Sequence, residues 1–202
     1  VRQLYNKQIS KIKKRAPVTQ QHLEEIIQIE KALKKEMTED VYYQMVGDKT
    51  ASLFSASCEI GAITANANTE QQKAMSIFGE KLGIAFQIRD DLFDIMGTVD
   101  AIGKPIGFDV KKNMLTLPLI HMFETVGDNK KKTLQRKLKK HASRKDICAI
   151  GKLIEFHGGI KYATEQMERI SQEAMDELNI FPDSEYKEAL CTAVKFNLAR
   201  KA

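Results

Sequence analysis

The sequence predicts an all-α protein organised as a single domain over residues 1–202. Two observations carry this. Only four prolines and eleven glycines punctuate the 202 residues, and no stretch sustains the apolar–polar alternation of a half-buried strand. Apolar residues recur instead at helical spacing, between residue types that cap and stop helices. The composition, 43% apolar and 29% charged, is that of a globular chain with a core.

The elements follow in order. "HLEEIIQIEKALKKE" places Leu23, Ile26, Ile27 and Leu33 near one helical face. Thr38, followed by Glu39 and Asp40, is a cap with acids in the first turn, and the helix it opens is expected to run on through Ala67. Thr69 with Gln72 reads as a capping box that opens a helix from about Glu70 to Met96. Its apolar residues, from Ile77 and Phe78 through Ile88 and Leu92 to Met96, point nearly all round, so burial on most sides is expected. Gly97 to Phe108 reads as a loop, with three glycines and Pro105. "LTLPLIHMFETV" begins another helix, with Pro118 acceptable only in its first turn. The basic stretch after Asn129 is amphipathic, with Leu134 and Leu138 four apart. Gly158 and Gly159 end the next helix, "IKYATEQMERISQEAMDELNI" resumes, and a last helix is capped near Asp183 or Ser184.

A net charge of +5 gathers in Lys7–Arg15 and Asn129–Asp146. Such clusters suit nucleic acid, an anionic surface or phosphorylated small molecules, but first of all a solvated face. No aromatics interleave them, which argues against a stacking platform for single strands. No apolar run reaches membrane-spanning length and no secretory leader pattern appears. Cys58, Cys148 and Cys191 lie far apart and form neither a metal spacing nor a disulfide framework. A reducing cytoplasm is therefore expected.

The segment "FQIRDDLFDIMG" poses the chemical question. Asp90, Asp91 and Asp94 fall within an arc of about 100° on a helix that is otherwise apolar. Gln87 precedes them on the same face. Like charges so spaced repel, and in a low-dielectric interior the cost rises steeply. Something positive must face them. Lysines could serve, and an isolated DDxxD can be an exposed acidic stripe. Flanking apolar residues leave this helix little solvent face, so carboxylates converging on Mg²⁺ fit better, with substrate phosphates completing the shell. "GKPIGFDV" follows within fifteen residues. Its Lys104 is a point charge suited to a phosphate oxygen, flanked by Gly103 and Gly107 that let backbone approach an anion. An ordinary connecting loop is the plainer alternative.

Taken together, "GIAFQIRDDLFD" and "GKPIGFDVKKNMLTLPLI" resemble the second aspartate-rich region of the trans-polyprenyl diphosphate synthases, enzymes of the farnesyl and octaprenyl type. "DKTASLFSASCEIGAI" resembles that family's Lys-Thr helix and "EIIQIEKA" its Glu-x-x-Gln segment. "GGIKYA", "FPDSEYKEAL" and "NLARKA" continue the likeness, which covers residues 25–202 and corresponds to the C-terminal two-thirds of the family pattern. The resemblance implies a helical bundle around a central cavity, a homodimer, and Mg²⁺-dependent condensation of isopentenyl diphosphate onto an allylic diphosphate. It implies Asp90 and Asp94 as principal metal ligands with Asp91 beside them. It implies Lys49 and Lys104 on the allylic diphosphate, and Thr50 and Gln87 facing the developing allylic cation. Phe86 falls at the isopentenyl side, and Arg200 and Lys201 match a basic tail that closes over the second diphosphate. This chemistry requires no histidine, and His22, His121, His141 and His157 read as core or surface residues rather than ligands. Two departures stand out. Asn113 and Met114 occupy positions where the family carries Gly-Lys, so either one diphosphate contact is lost or Lys111 or Lys112 substitutes for it. The family's first aspartate-rich motif is not found, and "KKRAP" at Lys13–Pro17 is a poor match to its arginine-rich segment. The alternative reading is a non-catalytic partner subunit of a heteromeric prenyltransferase, or an inactive fragment.

Overall fold

The longest helix organises the rest. The computed structural model describes residues 38–96, 116–127, 131, 133–134 and 144–200, all within the unit Met37–Ala202. The expectations for the helix at residues 22–36, for the loop with Gly103, Lys104 and Gly107, for Asn113 and Met114, for His22 and His141, and for Lys201 lie outside them. Among the described residues every regular element is a helix.

The first, α1, spans Glu39–Val46, and Thr38 caps it by accepting from the Val41 N–H at 3.4 Å. The expected continuous helix to Ala67 is interrupted. Gly47–Ala51 forms one π-helical turn, in which the Ser52 N–H reaches the Gly47 carbonyl. Only then does α2 run, over Ser52–Thr64. Gly47 disfavours a regular helix at this point, and a π turn of this kind re-aims the side chains it carries. Here those include Lys49 and Thr50.

Asn66, with φ of 56°, turns the chain. The capping box of the long helix then sits one residue earlier than Thr69–Gln72. The Asn68 side chain accepts from the Gln71 N–H at 2.9 Å, and the Gln71 side chain accepts from the Asn68 N–H at 3.1 Å. Asn is the stronger cap, so it takes the position, and Gln72 instead donates to the Ala67 carbonyl at 2.7 Å. The helix, α3, spans Thr69–Met96 and 28 residues, roughly 42 Å.

Beyond it, α4 covers Leu117–Thr125 with Pro118 in its first turn. Arg144–Phe156 forms α5, Gly159–Glu177 forms α6, a 3₁₀ turn covers Leu178–Ile180, and Glu185–Ala199 forms α7. Gly158 caps α6 with φ of 75°, a conformation that favours glycine. Ser184 caps α7, accepting from the Lys187 N–H at 3.2 Å, while Asp183 pairs with the Lys187 ammonium at 3.0 Å.

As the all-round apolar pattern predicted, α3 is buried along most of its length. Phe78, Ile88 and Leu92 are at most 1% exposed, each worth about 1.5–3 kcal/mol of burial. Tyr42, Val46, Ile88, Leu92, Leu117, Ile120 and Met167 make one cluster, joining α1, α3, α4 and α6. Phe78 joins a second with Ala174, Leu178 and Val194, and a third links α4 to α5. Met96, at the end of the helix, is exposed instead.

Candidate active site

Close approach of two helices builds the site. On α3, Gly79 and Gly83 face α2, and a Cβ on Gly83 would stand 2.6 Å from the Ala51 Cα. Without that Cβ the π turn lies directly against α3. Thr50 then donates to the Gln87 side-chain oxygen at 3.1 Å. Phe54 and Phe86 pack beside this contact, their ring centroids 5.6 Å apart. Lys49, in the same π turn, is exposed.

The Gln87 Nε2 donates to Asp91 Oδ1 at 3.1 Å, and the Tyr42 hydroxyl donates to Asp91 Oδ2 at 2.6 Å. Asp91 and Tyr42 are 4% and 1% exposed. The sequence expects Asp91 beside Asp90 and Asp94 at a metal; the structure gives both its oxygens hydrogen-bond donors from inside the fold.

Asp90 and Asp94 lie one turn apart on the partly exposed side of α3. Arg200, just past the end of α7, brings its Nη2 to 3.4 Å from Asp90 Oδ1. Its guanidinium also lies over Phe86 at 5.1 Å and Phe93 at 5.2 Å. The Arg200–Phe86–Asp90 cluster thus unites three residues that the sequence brought together only through a resemblance.

Arg89 ties down the end of α7 that leads into Arg200. Its Nε donates to the Asn197 carbonyl at 3.0 Å and a terminal nitrogen donates to the Leu198 carbonyl. These are C-terminal carbonyls of α7, where a cation is also favoured by the helix dipole. Burial, and then the like charge of Arg200, lower the Arg89 pKa. His121 stacks on Tyr162 at 4.2 Å, and His157 meets the Phe156 ring edge-on, so neither stands in this cluster.

Tyr42, Arg89 and Phe93 are the site-region residues that sequence reasoning missed. Arg89 carries a signal, since a cation between Gln87 and Asp90 on a mostly buried helix needs a partner. Tyr42 carries none, because its contact with Asp91 spans 49 positions.

Among the described residues, no three His, Cys, Asp or Glu side chains are grouped as a self-sufficient metal site. Two carboxylates on one helix face nevertheless suit an ion that takes its remaining oxygens from water and phosphate, as Mg²⁺ does. Chemically, the site offers paired anionic oxygens, arginine over aromatic rings, and two neutral oxygens held side by side. No helix among the described residues is long and apolar enough to cross a membrane.

Comparison with known proteins places the chain in a family. Residues 3–154 match the model of the polyprenyl synthetase family. Over 165 residues the chain is 30% identical to octaprenyl diphosphate synthase of Haemophilus influenzae, covering 82% of this chain and 50% of that protein. To geranylgeranyl diphosphate synthase of Sulfolobus acidocaldarius it is 35% identical over 145 residues, covering 71% and 44%. The crystal structure of geranylgeranyl pyrophosphate synthetase from Pyrococcus horikoshii superposes with a TM-score of 0.79 at 33% identity, covering 88% of this chain and 54% of that one. A polyprenyl synthase from Caulobacter crescentus, complexed with calcium and isoprenyl diphosphate, gives 0.81 at 27% identity, covering 89% and 55%. The chain spans about half the length of the curated relatives it matches. The fold and these matches agree: the chain belongs to the polyprenyl synthetase family.

Proposed function

We propose that the protein condenses isopentenyl diphosphate with an allylic diphosphate, lengthening the allylic chain by one isoprene unit and releasing pyrophosphate. The observation that carries this is the Thr50–Gln87 oxygen pair, held at 3.1 Å beside Asp90 and Arg200. Asp90 and Asp94 would hold Mg²⁺, which neutralises the diphosphate as it leaves. Their half-exposed, one-turn-apart placement fits that ion.

The chain's own residues do the rest. Lys49, exposed in the π turn, grips the allylic diphosphate, and Lys104 is the second such lysine. As the allylic C–O bond breaks, positive charge spreads over the allyl group. Thr50 and Gln87 meet it with preorganised oxygen dipoles, which need no reorganisation at the moment of reaction. The alkene of isopentenyl diphosphate then attacks, a C–C bond forms, and the proton lost goes to the departed pyrophosphate. Arg200, whose guanidinium lies over Phe86 and Phe93, would attract the isopentenyl diphosphate, with Lys201 next to it in sequence. Along α2, Leu53, Ile60 and Ile63 are exposed at helical spacing. An apolar stripe of this kind suits a prenyl chain, and Ser57, the hydroxyl within it, donates its proton to the Leu53 carbonyl at 2.7 Å.

The same reading makes the protein a homodimer of the cytoplasm. Full-length protein incubated with Mg²⁺, labelled isopentenyl diphosphate and farnesyl diphosphate should yield longer prenyl diphosphates on product sizing. Absence of any elongated product and of pyrophosphate release would remove the proposal.

A further inference from the structure

Glutamine presents a problem to a cation-stabilising site. Its carbonyl and amino ends have nearly the same shape but opposite polarity. Oxygen turned to an allylic cation attracts it; the amino group turned to it repels. Something must choose between the two orientations.

On the reading that Gln87 faces the cation, we infer that Tyr42 and Asp91 are positioning residues that fix which end of the Gln87 amide does so. The Asp91 carboxylate accepts hydrogen bonds, so the group 3.1 Å from its Oδ1 is the Gln87 Nε2. A flipped amide would bring carbonyl oxygen against carboxylate oxygen. Tyr42 holds Asp91 for this task through the 2.6 Å bond to Oδ2, with both residues buried. The Tyr42 ring is fixed in turn, edge-on to Tyr43 with centroids 5.5 Å apart.

The directions of the bonds matter as much as their presence. Tyr42 and Gln87 both donate to Asp91, and Thr50 donates to Gln87. Every proton in the relay therefore points toward Asp91. A carbonyl oxygen carries two lone pairs and a hydroxyl oxygen keeps its own after donating. Lone pairs of Gln87 Oε1 and Thr50 Oγ1 remain for the cation. The buried negative charge of Asp91 polarises both dipoles in the same sense. Asp91 then serves the developing cation, whereas Asp90 and Asp94 serve the leaving group.

Tyr42→Phe in the full-length protein tests this, since it deletes one donor and keeps the ring. The expected result is a kcat lowered about 10–100-fold, with KM for both diphosphates and half-saturating Mg²⁺ within about two-fold of wild type. A binding measurement runs beside it. Calorimetry with Mg²⁺ compares farnesyl diphosphate with an analogue bearing an ammonium where the cation develops. Wild type should prefer the ammonium analogue, and Tyr42→Phe and Asp91→Leu should lose the preference while still binding farnesyl diphosphate. In a Gln87→Leu background, Tyr42→Phe should add nothing, because the amide it orients is gone. An additive loss there, or an ammonium preference kept by Tyr42→Phe, overturns the inference. So does Asp91→Asn if it raises half-saturating Mg²⁺ and keeps the preference. Wild-type protein that neither turns over nor binds either diphosphate would instead defeat the prenyl-transfer reading, and this inference with it.

Discussion

Asp90 carries the heaviest load of any single side chain in this account. It lies on the partly exposed side of α3, 3.4 Å from Arg200. Its ion pair is too solvated to contribute more than about 0–1 kcal/mol to folding. Asp90→Ala should therefore leave the thermal midpoint nearly unchanged while lowering kcat by about two to three powers of ten or more. A large fall in the midpoint with modest loss of rate would make Asp90 structural. Lys104→Ala should raise the allylic KM by an amount on the order of 1.5–3 kcal/mol, the loss of a charged hydrogen bond. Unchanged steady-state kinetics would leave its loop a connector. Asp90 and Asp94 were legible in the sequence because clustered like charges on an apolar helix demand an explanation. Tyr42 was not, because only the packing of α1 on α3 brings a phenol to Asp91. Asp91 looks like its neighbours in sequence and differs from them in its surroundings.

At the scale of elements, the approach of α2 to α3 decides where Thr50 stands. Gly83→Ala would place a Cβ 2.6 Å from the Ala51 backbone, and at Gly79 it would stand 2.5 Å from the Phe54 carbonyl oxygen. Either substitution forces the helices apart and should cost about 1–3 kcal/mol by chemical denaturation. Gly83→Ala should also lower kcat, since it moves the π turn away from Gln87; a variant as stable and active as wild type would contradict this. The contact of α1 with α6 predicts a pH dependence. Tyr162 donates to both Glu39 oxygens at 2.7 Å, and burial followed by that bond raises its pKa. Burial, then the Glu39 charge, pushes Tyr43 up to about 12. A raised phenol contributes stability fully present below its unfolded pKa of about 10 and lost as pH rises through the folded value. The thermal midpoint should fall between about pH 10 and 12, and fall less in Tyr162→Phe. An identical profile in the variant would exclude Tyr162. Helix ends followed from cap chemistry, as at Thr38, Pro118, Gly158 and Ser184. The π turn did not, because Gly47 weakens a regular helix without selecting a π turn over a break, and the close approach to Gly83 shows only in the packing.

For the whole molecule, the all-α class was readable because almost nothing in the chain interrupts helical spacing. The neighbour relations were not, since periodicity says that α3 is surrounded but not that α6 and α2 surround it. In the proposed function, a bundle built round α3 brings an anionic face, an arginine and an oxygen pair together so that an allylic diphosphate would ionise and its cation would be captured by an alkene. The most direct test is the rate of prenyl transfer by full-length protein against free Mg²⁺, for wild type and Asp90→Ala. The wild-type rate should rise to saturation with Mg²⁺, vanish in chelator, and be lost in Asp90→Ala at every Mg²⁺ concentration. A rate in chelator equal to that in Mg²⁺, or an Asp90→Ala curve that overlays wild type, would contradict the proposed function.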